Sequence, residues 1–255
     1  MRQLWTIALN GFRESRRNRV TVVVFAFALV LVLSATFALE LTVTTFQRVM
    51  TDIGLGSMSF IAVFLTIFLC SGLLPKEIER RTIFMVLTKP ISRSTFLVGR
   101  LLGNVLTVAF VLGIMSALFF TQVLLDGQSI HQSQVAAIIG LFFEVVLLSA
   151  LAFAFASVSS QMVASVSVVG LYFIGHMSTD LYRLANRAES ELLRVVGKGL
   201  YYLLPNLDRL DFKGRATYLD PTPWSEVALS GAYALTYATV MAAVACALFN
   251  RRDFR

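Results

Sequence analysis

Four stretches of this chain run for at least a bilayer's thickness without an Asp, Glu, Lys or Arg. Val20–Leu39 is 20 residues, Ile53–Pro75 is 23, Leu101–Leu125 is 25 and Val227–Asn250 is 24. An α-helix rises 1.5 Å per residue, so about 20 apolar residues cross roughly 30 Å of hydrocarbon. Inside lipid, backbone polar groups must be satisfied within the structure itself, which favours helices of this length. The expectation is an all-α polytopic membrane protein. Composition agrees, since only 15% of the 255 residues are charged and the mean hydropathy is +0.75. Soluble domains carry about 25% charged residues.

Between Gln132 and Thr179 there is one acid, Glu144, and no base. That is too long for one span. The polar run Ser157-Val158-Ser159-Ser160-Gln161 divides it into spans of about Gln134–Ala156 and Met162–Thr179. Six transmembrane helices are therefore expected.

Bases in the loops set the orientation. With the N-terminus cytoplasmic, the inner segments 1–19, 76–100, 157–161 and 251–255 hold 14 bases and four acids. The outer segments hold eight bases and ten acids. The formal +7 thus divides into +10 inside, −2 outside and −1 at Glu144. Arg13, Arg16, Arg17, Arg19, Lys76, Arg80, Arg81, Arg251 and Arg252 crowd the inner span ends. Both termini are expected in the cytoplasm, which an even number of spans satisfies. The net charge is an orientation signal, and nucleic acid is not an expected partner. A cleavable leader ending near Thr36-Phe37-Ala38 is the competing reading. The apolar run before it is long enough to span, so it is read as the first helix.

Little in the chain supports chemistry. Cys70 and Cys246 lie in apolar runs and make no disulfide framework. His131 and His176 are too few and too far apart for a histidine-based metal site. A P-loop needs Gly-x-x-x-x-Gly-Lys-Ser/Thr to cradle phosphates. Gly197-Lys198-Gly199 lacks the earlier Gly and the hydroxyl residue. Leu229-Ser230-Gly231-Ala232 is only a weak echo of an ATPase signature. No catalytic residue and no metal site are expected, and the chain is not read as an enzyme.

Segments outside the spans carry more information. Leu4, Trp5, Ala8, Leu9 and Phe12 recur at helical spacing within residues 3–15. They predict an amphipathic helix at the inner interface, within the segment 1–19. The loop Lys76–Arg100 is about twenty residues longer than a connection needs. Residues 76–87 suit a short helix that Lys89-Pro90 stops. Ser92 fits the N-cap of the next helix, with Ile91 and Phe96 as a hydrophobic staple. Mixed charge and the apolar patch Ile83, Phe84, Val86 and Leu87 suit a docking surface. An interfacial hairpin that only anchors two spans fits the spacing equally well.

That loop resembles the cytoplasmic loop of the membrane subunits of type-2 ATP-binding-cassette (ABC) transporters. The matching residues are Glu77 or Glu79, Thr82, Leu87, Pro90, Ile91, Ser92, Arg93 and Gly99. Arg81 stands where the family often has Gly, and Arg100 where it often has Lys. The variant Arg-Thr…Lys-Pro-Ile-Ser-Arg looks most like the permeases related to nitrous-oxide-reductase maturation and gliding-motility systems. The resemblance implies one permease domain over 1–255, with 76–95 as the coupling loop. It implies two copies of an ABC ATPase subunit and a second permease, either a copy or a relative. ATP-Mg would sit on the ATPase, with no cofactor bound directly. The implied setting is a bacterial cytoplasmic (inner) membrane and the implied task is export. Glu77, Glu79, Arg80, Arg81, Thr82, Pro90, Ile91, Ser92 and Arg93 become the ATPase-coupling candidates.

Residues 176–226 form an external segment. Leu181, Leu184, Ala185, Ala188, Leu192, Val195, Val196 and Leu203 predict one amphipathic helix ended by Pro205, with Arg187 and Glu191 paired at i,i+4. Asn206–Pro223 reads as an ordered loop, and Trp224 as an outer interface anchor. The segment is either a structural lid packing on the outer bundle or a dedicated substrate receptor, and in a transducer it would act on a periplasmic partner. Glu144 lies about 15 Å below the outer end of its span, near the midplane, and an acid there is a functional candidate. His176, about 6 Å higher, is its nearest plausible partner. A protonated Glu144 bonded to a Ser or a carbonyl is the plainer alternative. Gly99-x-x-x-Gly103 and Ala150-x-x-x-Ala154 predict close helix contacts. Besides the permease, two other readings stand: an ATPase-driven mechanical transducer that transports nothing, and a secondary transporter, whose internal symmetry is not evident.

Overall fold

The computed structural model describes residues 2–16, 22, 26–31, 33, 43–79, 92–188 and 190–251, and among them every regular element is helical. The helices are α1 (Arg2–Arg16), α2 (Val43–Glu79), α3 (Arg93–Leu125), α4 (Gln132–Ala156), α5 (Gln161–His176), α6 (Ser178–Arg187), α7 (Glu191–Leu203), α8 (Lys213–Tyr218) and α9 (Trp224–Arg251). A 3-10 turn, Asp208–Leu210, precedes α8. Four helices are long and apolar enough to cross a membrane: α2 over Phe46–Leu73, α3, α4 and α9. A fifth passes only if α5 and α6, bent by 59° at Met177, count as one span. The first predicted span, Val20–Leu39, falls largely outside the described residues, of which 26–31 are helical.

Helix α4 is the hub. It packs against α2, α3, α5 and α9. Its sequence explains the position: Ala136, Ala137, Gly140, Ala150, Ala152, Ala154 and Ala156 are small and buried, so neighbouring backbones approach closely. Local signals start the helices. The Ser92 side chain accepts the Thr95 N–H at 3.2 Å and caps α3. The His131 N–H donates to Gln134 Oε1 at 3.1 Å at the start of α4. The break between α4 and α5 falls at the predicted Ser157–Gln161 run.

Two expectations change. The charge-free run to Pro75 and the start of the short helix expected over 76–87 are continuous, since α2 runs through Pro75 to Glu79. Proline removes one N–H from a helix, a loss that packed neighbours can offset, and Pro75 is buried. The predicted external helix over Leu181–Leu203 is two helices. Ala188 and Ser190 are extended, and α7 folds back so that Gly197 seats under Ala185. Apolar spacing continues across the corner, so periodicity alone runs the two together. Arg187 and Glu191 therefore stand on different helices and form no ion pair with each other. Asn206–Pro223 is ordered, as expected, by the 3-10 turn and α8.

Candidate functional site

Two groups of sequence-selected residues have to be placed. The first surrounds the start of α3. Arg80, Arg81, Thr82, Pro90 and Ile91 lie outside the described residues, and Glu77 and Glu79 lie in the last turn of α2. Ser92 and Arg93 are described. The Arg93 Nη1 donates to the Asn250 carbonyl at 3.4 Å, which ties the start of α3 to the end of α9. Two to three turns further on, Gly99 and Gly103 form a flat strip that receives α1. A Cβ on Gly99 would stand 2.9 Å from Ile7 Cγ2, and one on Gly103 2.7 Å from the Ala8 carbonyl. Gly11 of α1 returns the fit, with Arg100 Nη1 at 3.3 Å from where its Cβ would be. Phe12 meets Phe110 edge-on at 5.6 Å. The small-residue pair of α3 thus serves a contact within the chain. The buried stripe of α1 is Ala8 and Gly11, flanked by Leu4 and Ile7, and Trp5 is left 55% exposed.

The second group lies midway along α4. Glu144, on the hub helix, is 1% exposed. Its Oε1 faces His176 Nε2 across 3.5 Å. Neither of these two atoms has a hydrogen-bond partner. The other imidazole nitrogen, Nδ1, is 3.1 Å from the Tyr172 carbonyl, and the Tyr172 ring lies 4.5 Å from the imidazole.

Around this pair the structure assembles residues that periodicity did not select. Lys213 Nζ donates to Ser59 Oγ on α2 at 3.0 Å and stands 3.5 Å from Asp211 Oδ2. Lys213 and Asp211 are the charges that bear on Glu144. The Lys213 N–H also donates to Asp211 Oδ1 at 3.0 Å, a local turn that aims the side chain inward. The sequence signal was available: a Lys two residues after an Asp, in a segment with Gly and Pro, just outside a bundle holding one acid.

The segment carrying Lys213 is keyed into the bundle. The Leu207 N–H donates to the Gly175 carbonyl at 3.1 Å, and the Asn206 N–H to Tyr233 Oη at 2.8 Å. Gly140 leaves room for the Leu210 carbonyl, and Gly175 for Leu207 and the Pro205 carbonyl. Thr179 donates to Asp208 at 2.6 Å, and Gln132 of α4 to the Thr222 carbonyl at 2.9 Å. Arg215 and Glu226 make a two-pronged ion pair at 2.6 and 2.9 Å, which raises the Arg215 pKa above its ordinary value. Trp224 opens α9 half exposed.

Phe60, Phe64 and Phe68 form an aromatic ladder down one face of α2, with ring centroids 6.1 and 4.4 Å apart, all three exposed. Beside its lower end, Phe68, Gln161, Met162, Ser165, Val166 and Val169 line an open, mostly apolar groove of about 500 Å³ between α2 and α5.

Among known families, the model of one described as ABC-2 family transporter protein matches residues 5–254. No curated protein matches the chain.

Proposed function

Because the chain belongs to the ABC-2 family of transporter membrane proteins, a multi-pass permease subunit of an ABC transport system, we propose that it converts the closure of two ATPase subunits on its inner face into export. The observation that carries this reading is the convergence at the start of α3. Ser92 caps the helix directly after the coupling loop, Arg93 grips the end of α9, and Gly99 and Gly103 seat α1. A push on the loop at Glu77, Glu79, Arg80, Arg81, Thr82, Pro90 and Ile91 then reaches three helices at one point. The ATP-Mg belongs to the ATPase partner, and this chain supplies the surface on which it acts.

Two permease copies would face each other across α2 and α5. The Phe60, Phe64 and Phe68 ladder adjoins a groove lined in part by Gln161 and Ser165, and polar side chains there suit a helix partner or a path better than lipid. Substrate would move along this seam. The setting we infer is a bacterial cytoplasmic membrane with both termini inside.

Charge reversal tests the coupling. Arg81→Glu should leave assembly intact while ATP hydrolysis no longer drives transport in proteoliposomes. Normal export by the reversed protein would overturn the coupling role of the loop.

A second reading is favoured by α7. Leu192, Val195, Val196, Tyr202 and Leu203 are all exposed on this helix. Such a face suits an external partner on which the ATPase cycle does mechanical work. Replacing Leu192, Val196 and Leu203 with Ser separates the readings. Loss of the biological output with transport and ATPase activity unchanged supports the transducer, and unchanged output sets it aside.

A further inference from the structure

The atoms that Glu144 and His176 present to each other define a chemical requirement. His176 Nδ1 is 3.1 Å from the Tyr172 carbonyl, which can only accept, so Nδ1 carries a hydrogen. In a neutral imidazole the other nitrogen, Nε2, is then a bare acceptor. Facing it at 3.5 Å is Glu144 Oε1, on a side chain 1% exposed. An ionised carboxylate is also only an acceptor. Two bare acceptors facing each other in a buried site repel and stay unsatisfied. One additional proton removes the conflict, whether it rides on the carboxyl or on Nε2.

We propose that Glu144 and His176 form a binding site for a single exchangeable proton, and that its occupancy fastens the outer end of α5 to α4. The reaction is proton transfer alone: a proton enters from water, rests between Oε1 and Nε2, and returns to water. The charged groups bearing on the pair are Lys213, Asp211 and, for His176, Asp208, all from the external segment. Tyr172 stands beside the imidazole on α5, and α2 brings Ser59. Helix α9 brings no charged side chain to bear on the pair among the described residues. Lys213 does not replace the proton, since its ammonium bonds Ser59 and stands against Asp211 and makes no ion pair within 4 Å with Glu144.

The consequence is mechanical. Gly175, one residue before His176, holds the Leu207 N–H, and Gly140, one turn before Glu144, receives the Leu210 carbonyl. Both footholds of the external segment flank the proton site. When the proton leaves, the α4–α5 contact loosens and the segment comes off its seat.

Two readouts test it on the full chain in nanodiscs, with no ATPase and no substrate, so failure here is separate from failure of the permease reading. The chain has two histidines, so nitrogen-15 NMR of labelled histidine, assigned with His131→Gln, follows His176. Infrared difference spectra follow the carboxylic-acid stretch of Glu144. At neutral pH one of the two should carry the proton, and raising the pH should remove it in one step. An ionised Glu144 beside a bare Nε2 at neutral pH overturns the proposal.

The second readout is thiol labelling of Ala216→Cys, on the buried face of the segment, relative to exposed Gly199→Cys, with Cys70 and Cys246 replaced by Ala. The native pair should give a ratio that rises with pH, by at most about tenfold per unit for one proton. Glu144→Gln supplies a permanent N–H donor to Nε2, so its ratio should stay low and flat. His176→Gln supplies a permanent donor to the carboxylate and should behave alike. Either variant following the native pH response, or a flat native ratio, overturns the proposal.

Discussion

The Ala8 carbonyl of α1 lies against Gly103 of α3 so closely that a Cβ there would be 2.7 Å from the oxygen. That oxygen is backbone and cannot swing aside. The N-terminal helix is therefore held by the absence of one carbon atom on α3. Gly103→Ala should lift α1 and cost about 1–3 kcal/mol, the usual range for overpacking. Gly113→Ala, on the same helix, meets nothing within 4 Å and should be neutral or stabilising by up to about 1 kcal/mol. Thermal unfolding of the two variants in detergent makes the comparison, and equal midpoints would contradict the seat.

Gly140 plays the corresponding part at the other end. A Cβ there would collide with the Leu210 carbonyl and reach Phe212 Cδ2 at 2.7 Å. Gly140→Ala should release the segment 205–222 while leaving the helices beneath it folded. Limited proteolysis is the measurement. Cleavage should speed up within 205–222 and stay unchanged within 92–125.

Arg215 and Glu226 look like the strongest tie of the external segment, yet each side chain is 43% exposed. Solvent screens such pairs, which contribute about 0–1 kcal/mol. A double-mutant cycle on Arg215→Ala and Glu226→Ala should return a coupling within that range, shrinking as salt is added. A coupling of several kcal/mol would mean that the pair is buried in the assembly.

Leu219 ends α8 in the left-handed region, at φ 59°. A residue with a Cβ is strained there by roughly 1–2 kcal/mol. Leu219 is partly buried, so Leu219→Gly recovers only part of this and should stabilise the chain by about 1 kcal/mol. Chemical denaturation of the two forms checks the sign. A destabilised variant would show that the leucine side chain contributes more than its backbone costs.

The parts of this fold that could be read from sequence are those governed by neighbours along the chain. The Ser92 cap, the Ser157–Gln161 break and the long apolar runs all depend on a few adjacent residues. The approach of Glu144 to His176 followed from helical rise, though their role did not. The corner between α6 and α7 was hidden because Leu184, Leu192 and Val195 keep a helical rhythm across it, while the packing of Gly197 on Ala185 is tertiary. Ser59, Asp211 and Lys213 were passed over for the same reason. They are 154 residues apart at their widest and meet only when the external segment folds onto α2. Ser59 in an apolar run and Lys213 in a loop look unremarkable until they share a hydrogen bond.

Helix α2 extends through 37 residues, from Val43 to Glu79, or about 55 Å at helical rise. That is nearly twice the hydrocarbon thickness. Ser59, where Lys213 bonds, lies 20 residues from Glu79, a radius of about 30 Å. Taken as a fulcrum, that point makes the helix a lever. A tilt of about 5° there swings Glu79 by about 2.6 Å, roughly half the pitch of an α-helix. The other arm, 16 residues to Val43, is about 24 Å long and swings by about 2.1 Å the opposite way, so one small tilt is felt at both ends of the helix.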